Sequence, residues 1–191
     1  MKKILLFDNY DSFTYNLLHA VKELGYTEVD VIRNDQISLD EVDQYDKILL
    51  SPGPGVPSES GILLPLIRQY APTKSIMGVC LGEQAIGEAF GATLFNLPEV
   101  IHGVQTPIRI LDEGEVLFRN LPSEIQGGRY HSWVVSRENF PYDELEITAE
   151  DENGQIMALR HRTYDVRGIQ FHPESVLTPQ GKVILKNWLE A

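Results

Sequence analysis

Three short stretches hold residue types that could do covalent chemistry together. The first is "GVCLGEQ", Gly78 to Gln84, which carries the only cysteine of the chain, Cys80. Its Gly-x-Cys-x-Gly pattern is the cysteine counterpart of a nucleophile elbow, where glycines relieve crowding at a sharp strand-to-helix turn. Unpaired backbone N–H groups at a helix start favour a thiolate over a thiol. The same turn aims a backbone N–H, that of Leu81, at the oxyanion formed when a carbonyl is attacked. A free cysteine is also among the most buried and inert residue types. On the elbow alone, core and nucleophile stand level.

A cysteine nucleophile needs a base, and the base needs an orienting group. Five histidines are available. His19 lies on a helical pattern, and His131 and His161 lie in strand-like blocks where a satisfied structural histidine is expected. His102 sits in the loop-like "EVIHGV" with no evident partner. His172 differs, because it follows the strand-like "VRGIQF" and opens "HPES", with Pro173 forcing a turn and Glu174 two residues on. Strand ends are where α/β sheets present functional groups. A carboxylate there can take the second ring N–H and fix the tautomer; the alternative is a turn that merely contains His and Glu. The third stretch is "SPGPG", Ser51 to Gly55. Its glycines and prolines make a stiff turn with exposed N–H groups, suited to a substrate wall and a second oxyanion donor, or to loop geometry alone. It lacks the Lys-Ser or Lys-Thr pair of a phosphate loop.

The elements that must position these groups follow from the apolar pattern. Ile4 to Phe7, Val29 to Ile32, Ile48 to Leu50 and Ile76 to Val79 are short apolar runs that predict strands buried on both faces. Helical spacing from Phe13 to Leu24 predicts a helix capped by Asp11 or Ser12 and stopped by Gly25. Further helices are predicted over Ile62 to Tyr70 and Gln84 to Phe90. This alternation predicts an α/β fold with a parallel sheet. After about residue 92, "QTPIRIL", "YHSWVVS", "LEITAE", "IMALRHR" and "VRGIQF" predict strands joined by short turns, a mixed or antiparallel extension, before a closing helix from Lys182 to Leu189. No repeat or linker interrupts the chain, so one domain over residues 1–191 is expected.

Composition narrows the function. With 28 acidic against 16 basic side chains and a net charge of −12, the chain lacks the basic stripe that nucleic-acid binding requires. A lone cysteine forms no internal disulfide, and no Cys/His cluster has zinc-site spacing. The apolar run before Asp8 is too short for a signal peptide, and no stretch approaches a membrane span, so a soluble cytoplasmic protein is expected.

Together these features resemble the class I (triad) glutamine amidotransferases, which use a Gly-x-Cys-x-Gly elbow and a later His-Pro-Glu in this chain order. A narrower resemblance is to the glutaminase subunits that serve chorismate enzymes, anthranilate synthase component II and its aminodeoxychorismate synthase sibling. It rests on "DNYDSFTYNL", "SPGPG", "GVCLGEQAIGEAFG", "HG" at His102 and Gly103, "RYHS", "RHR" and "GIQFHPESVLT", and runs from the first strand to the final helix.

The resemblance implies a flavodoxin-like three-layer fold, a mostly parallel central sheet with a small antiparallel extension. It implies Cys80 as nucleophile, His172 as base and acid, and Glu174 as its orienting partner. Gly53, Pro54 and Gly55 would line a glutamine site and supply an oxyanion donor beside Leu81. Gln84, helped by the backbone of Ser132 and Trp133, would hold the α-amino acid end of L-glutamine. Ammonia would pass to a chorismate-binding large subunit, of anthranilate synthase in tryptophan biosynthesis or of aminodeoxychorismate synthase in folate biosynthesis. No metal or cofactor is implied for this chain, and a Mg2+ ion is expected on the partner. Asn9, Tyr10, Asp11, Ser12 and Phe13, at a strand end and helix start, are the candidate partner surface. A non-catalytic regulatory subunit of the same fold would be expected to lack the cysteine, the histidine or the oxyanion turn.

Three residues depart from the chorismate-type pattern. Val104 stands where lysine is usual, and Trp133 where leucine is common. Glu83 replaces the usual histidine. A buried charged carboxylate near the thiol would oppose the thiolate, so Glu83 is expected to point away from the sulfur or to be paired.

Overall fold

The computed structural model describes residues 1–191. The four predicted apolar runs form strands β1 (Ile4–Asp8), β2 (Val29–Arg33), β3 (Lys47–Leu50) and β4 (Ser75–Val79). Their side chains alternate between two cores, as the pleat requires. Ile4 and Leu6 point into one, with Leu49 of β3 and Met77 of β4, while Leu5 and Phe7 point into the other with Ile48, Leu50 and Ile76. Helices α1 (Thr14–Glu23) and α5 (Gly181–Glu190) cover the first core. Helices α3 (Leu63–Tyr70) and α4 (Leu81–Ala89) cover the second, and the short α2 (Leu39–Val42) lies between β2 and β3. Burial on both faces is why β1, β3 and β4 read as unbroken apolar runs; β2, expected to be buried likewise, is instead the edge strand, with no buried residue and with Asp30 and Arg33 exposed.

The later strands are β5 (Leu94–Ile110), β6 (Glu124–Val135), β7 (Leu145–Glu150), β8 (Ile156–His161) and β9 (Val166–Ile169). All nine join one sheet in the order β2-β1-β3-β4-β9-β8-β7-β5-β6. The first four pairings in that order are parallel and the next four antiparallel, so the antiparallel part is an equal share of the sheet. Strand β9, grouped by its sequence with the antiparallel blocks, runs parallel to β4 with Gly78 opposite Gly168. That register brings the end of "VRGIQF" beside the end of "SIMGV". No helix is long and apolar enough to cross a membrane.

Local expectations shift at three places. The N-cap of α1 is Phe13, not Asp11 or Ser12, and no side chain caps it. Asp11 instead accepts the Phe13 N–H, and Asp8 accepts from the Thr14 hydroxyl at 2.8 Å. Helix α4 begins at Leu81 rather than Gln84, because two glycines in its first seven residues mask its helical pattern. The stretch around His102 is not a loop but part of β5, bulged where its register with β6 shifts.

Candidate active site

Cys80 is the N-cap of α4, with φ 55° and ψ −104°. A non-glycine residue in such a conformation is strained by on the order of 1–3 kcal/mol and persists only where its surroundings over-determine it. Its two glycine neighbours do this. A Cβ on Gly78 would stand 2.5 Å from the Gly82 carbonyl oxygen, and one on Gly82 would stand 2.7 Å from the carbonyl oxygen of Leu50. Helix α4 can approach β3 and β4 only because both positions lack a side chain. The Cys80 N–H is held by Ile169 O of β9 at 2.8 Å, which ties the elbow to the neighbouring strand.

His172 follows β9 closely in sequence. Its N–H donates to Gly128 O at 2.9 Å, and its carbonyl accepts from the Thr178 hydroxyl at 2.6 Å. Nδ1 donates to Glu174 Oε1 at 2.6 Å, with the side chains of both residues shielded from water. Nε2 is buried without a standard hydrogen bond, and the thiol of Cys80 is its neighbour. Burial is the largest single influence on the ring and opposes its charge. Cys80 and Glu174 together outweigh it through hydrogen bonding and charge, raising His172 to about 10. Near neutrality the ring is therefore an imidazolium facing sulfur. Phe13 and Tyr130 pack their rings on it at 5.4 and 4.9 Å, and Tyr130 also bonds Ser175 at 3.1 Å.

A cavity of about 250 Å³ opens over the sulfur, lined on one side by Gly53, Pro54 and Gly55 and on the other by Gln84, Ser132 and Trp133. Gly53 must be glycine, because a Cβ there would meet Asn9 O at 2.5 Å and Leu81 Cδ2 at 2.9 Å; Gly55 has φ +72°. Leu81 does not line the cavity and is buried, so its contribution is limited to its backbone N–H at the helix start. The structure thus gathers all but one of the sequence-derived substrate residues on the cavity wall.

The sequence reading missed other parts of that wall. Tyr130, His131, Val100, Ile101 and His102 also line it. His131 is the satisfied structural histidine expected: burial, then the Arg129 cation, lower it to about 4, and its neutral ring donates from Nδ1 to Trp133 O at 2.9 Å. His161 is likewise structural, bonded through Nε2 to Glu144. Gln170 is fully buried and touches the sulfur, its Nε2 3.4 Å from Sγ. A polar residue inside the apolar "VRGIQF" was the available signal.

One expectation is corrected. Asn9 cannot be partner surface, because it is 2% exposed, its N–H donates to Ser51 Oγ, its amide donates to Ser51 O, and its Oδ1 accepts from Asn34. It buttresses the "SPGPG" turn instead. Tyr10 and Ser12 are exposed, while Asp11 and Phe13 are half-buried. Glu83 makes no hydrogen bond to the thiol, in keeping with the expectation, and it is not paired. It is wholly buried, packs against Gly168 of β9, and has no hydrogen-bond partner on either oxygen. Burial alone drives it well above the usual carboxylate range, which favours the neutral acid.

Known proteins share this sequence pattern and this fold. The family model for glutamine amidotransferase class-I matches residues 5–191. Anthranilate synthase component 2 of Cyanophora paradoxa is 48% identical, over 97% of this chain and 97% of its own. The chloroplastic anthranilate synthase beta subunit 1 of rice (Oryza sativa subsp. japonica) is also 48% identical over 97% of this chain, which spans 66% of that longer protein. Among solved structures, a Thermoplasma acidophilum protein provisionally assigned to GMP synthase superposes with a TM-score of 0.87. It is 29% identical, with 100% of this chain and 93% of that one covered.

Proposed function

The chain belongs to the class I glutamine amidotransferase family, and from that premise we propose that it is the glutaminase subunit of an anthranilate synthase. The observation that carries the chemistry is a strained cysteine at a helix N-terminus, beside a histidine ring anchored at 2.6 Å by a shielded carboxyl group. The names of the relatives support the pathway.

In the proposed reaction the Cys80 thiolate attacks the γ-carbonyl carbon of L-glutamine. The oxyanion is received by the Leu81 N–H and by an N–H of the Gly53–Gly55 turn. His172 gives its Nε2 proton to the amide nitrogen, the C–N bond breaks, and ammonia leaves a γ-glutamyl thioester on sulfur. Neutral His172 then takes a proton from water as the hydroxide adds to the thioester carbon. The C–S bond breaks, glutamate is released, and thiolate and imidazolium are restored. Glu174 holds the ring throughout. Gln84 presents only its carbonyl oxygen to the cavity, because its amide hydrogens go to Trp133 O and Gln170 Oε1; that suits the α-ammonium group of an amino acid.

Ammonia passes to a chorismate-binding large subunit before solvent can protonate it. The exposed part of the Tyr10–Phe13 turn is the proposed docking element, since Phe13 lies against His172. This chain uses no cofactor in the reaction, and the Mg2+ ion belongs to the partner; a cytoplasmic location goes with this reading.

The test measures glutamate release with and without a chorismate-binding large subunit, for the wild type and for Cys80→Ser. Turnover should rise with the partner and vanish in the variant, and the aminated product should be anthranilate. Undiminished turnover of Cys80→Ser would overturn the nucleophile, and an aminodeoxychorismate product would overturn the pathway.

A further inference from the structure

Gln170 lies directly after β9, fully buried, with its N–H on Met157 O at 2.8 Å. Its side chain bridges two working parts of the site. Nε2 donates to Cys80 Sγ at 3.4 Å, and Oε1 accepts from Gln84 Nε2 at 3.0 Å. The orientation of both amides follows from their partners. Trp133 O already accepts from His131 Nδ1 and needs a donor from Gln84, so Nε2 of Gln84 faces it at 2.9 Å. The other hydrogen of that group then meets an oxygen of Gln170, which leaves Gln170 Nε2 against sulfur. A flip of Gln170 would set two donors against each other at one end and a carbonyl against the thiolate at the other.

The far end of this chain of bonds is equally firm. His131 Nε2 accepts from Arg129 Nε at 3.1 Å, and Arg129 Nη1 donates to Asp151 at 2.8 Å in a buried ion pair. An unbroken series of hydrogen bonds therefore runs from the antiparallel half of the sheet to the sulfur, and Gln170 is its last member.

We propose that Gln170 is a positioning residue with two separable effects: its amide N–H holds the Cys80 thiolate, and its carbonyl locks the side chain of Gln84. The first effect concerns the nucleophile whatever its substrate, and the second rests on the glutamine reading above. A hydrogen bond to a charged acceptor in a shielded site is among the stronger ones. Removing it disfavours the thiolate, and freeing Gln84 lets its carbonyl turn from the cavity.

The experiment compares the wild type, Gln170→Met and Gln84→Met, each checked for folding by thermal denaturation. Two readouts are taken: the pH dependence of iodoacetamide alkylation of Cys80, and kcat and KM for glutamine hydrolysis. Gln170→Met should shift the alkylation midpoint up by about one pH unit, roughly tenfold in rate below it, and raise KM about fivefold or more. Gln84→Met should raise KM and leave the alkylation midpoint in place. An unmoved profile in folded Gln170→Met would overturn the proposal. So would an equal shift in Gln84→Met, which would mean general loosening of the cavity. If Gln170→Met does not fold, Gln170→Asn, whose amide is withdrawn by one methylene, should show both effects at smaller amplitude, and wild-type behaviour there would refute the idea. Because alkylation needs no glutamine, its outcome stands even if glutamine hydrolysis fails.

Discussion

Two carboxyl groups lie shielded from water on either side of the elbow, and the fold treats them in opposite ways. Glu174 shares a proton with His172 at 2.6 Å and helps hold that ring as an imidazolium. Glu83, in the first turn of α4, packs on Gly168 and bonds nothing through either oxygen. Both have lost water, so desolvation does not distinguish their roles. The partner does: with a ring N–H in reach a carboxyl group can act on the site, and with none it is held neutral and silent. Neutrality is also how the chain accommodates an acid where the resemblance leads one to expect histidine. No partner neutralises that acid, since neither oxygen is bonded, and burial favours the protonated form.

The sharpest way to break this contrast is to remove the paired member. Glu174→Ala should lower glutamine hydrolysis about 10²–10⁴-fold, measured at saturating substrate with the partner present. A loss below about tenfold would mean that the ring needs no orienting group. Next in size is the support common to both sides of α4. Gly82→Ala drives a methyl group toward Leu50 O and Leu50 Cβ, and should destabilise the protein by about 3 kcal/mol or more in urea unfolding. An unchanged midpoint would show that the helix can retreat freely.

The unpaired member should respond with the opposite sign. Glu83→Met deletes two unpartnered buried oxygens and should stabilise the protein by about 1–2 kcal/mol at pH 7. The pH dependence follows from the direction of its shift. The native state keeps a proton that the unfolded chain has released, so wild-type stability is full below the ordinary glutamate range and falls as pH rises toward the raised native value. The slope is at most about 1.4 kcal/mol per pH unit. Unfolding midpoints between about pH 5 and 8 should decline in the wild type more than in Glu83→Met, and parallel declines would dismiss Glu83 as the source. The smallest effect is expected from Tyr130→Phe, which removes one hydroxyl bond to Ser175 and leaves the ring against His172. Activity should change by no more than about threefold.

The parts legible in the sequence are those whose physics is local. Runs such as "ILLF" and "KILL" announce buried strands, and Gly78 and Gly82 announce a crowded turn because close backbone approach tolerates nothing larger. "HPES" carries its own partner two residues away. What could not be read depends on strand order. Gln170 reaches sulfur only because β9 joins the parallel sheet beside β4, and its block looks like its antiparallel neighbours in composition. His131 and Tyr130 reach the cavity only because β6 passes over the elbow. His102 looked like loop because bulges break the alternation that marks a strand. Glu83 shows the same limit, since its identity was visible and its isolation was not.

The pairing of β4 with β9 also dictates when the site comes into being. Gln170 and Cys80 are bonded across 90 positions of chain, and four antiparallel pairings are interposed between them in sequence. On the ribosome the thiol and its glycines emerge first, while the base, its carboxyl partner and the amide donor come last. Closing so long a segment is entropically slow compared with forming a local helix. Until the final strand docks, the nascent chain carries a cysteine without its base. An incomplete chain therefore carries a thiol that no imidazole faces, and the elbow meets its ring and its amide donor only when the last strand takes its place beside β4.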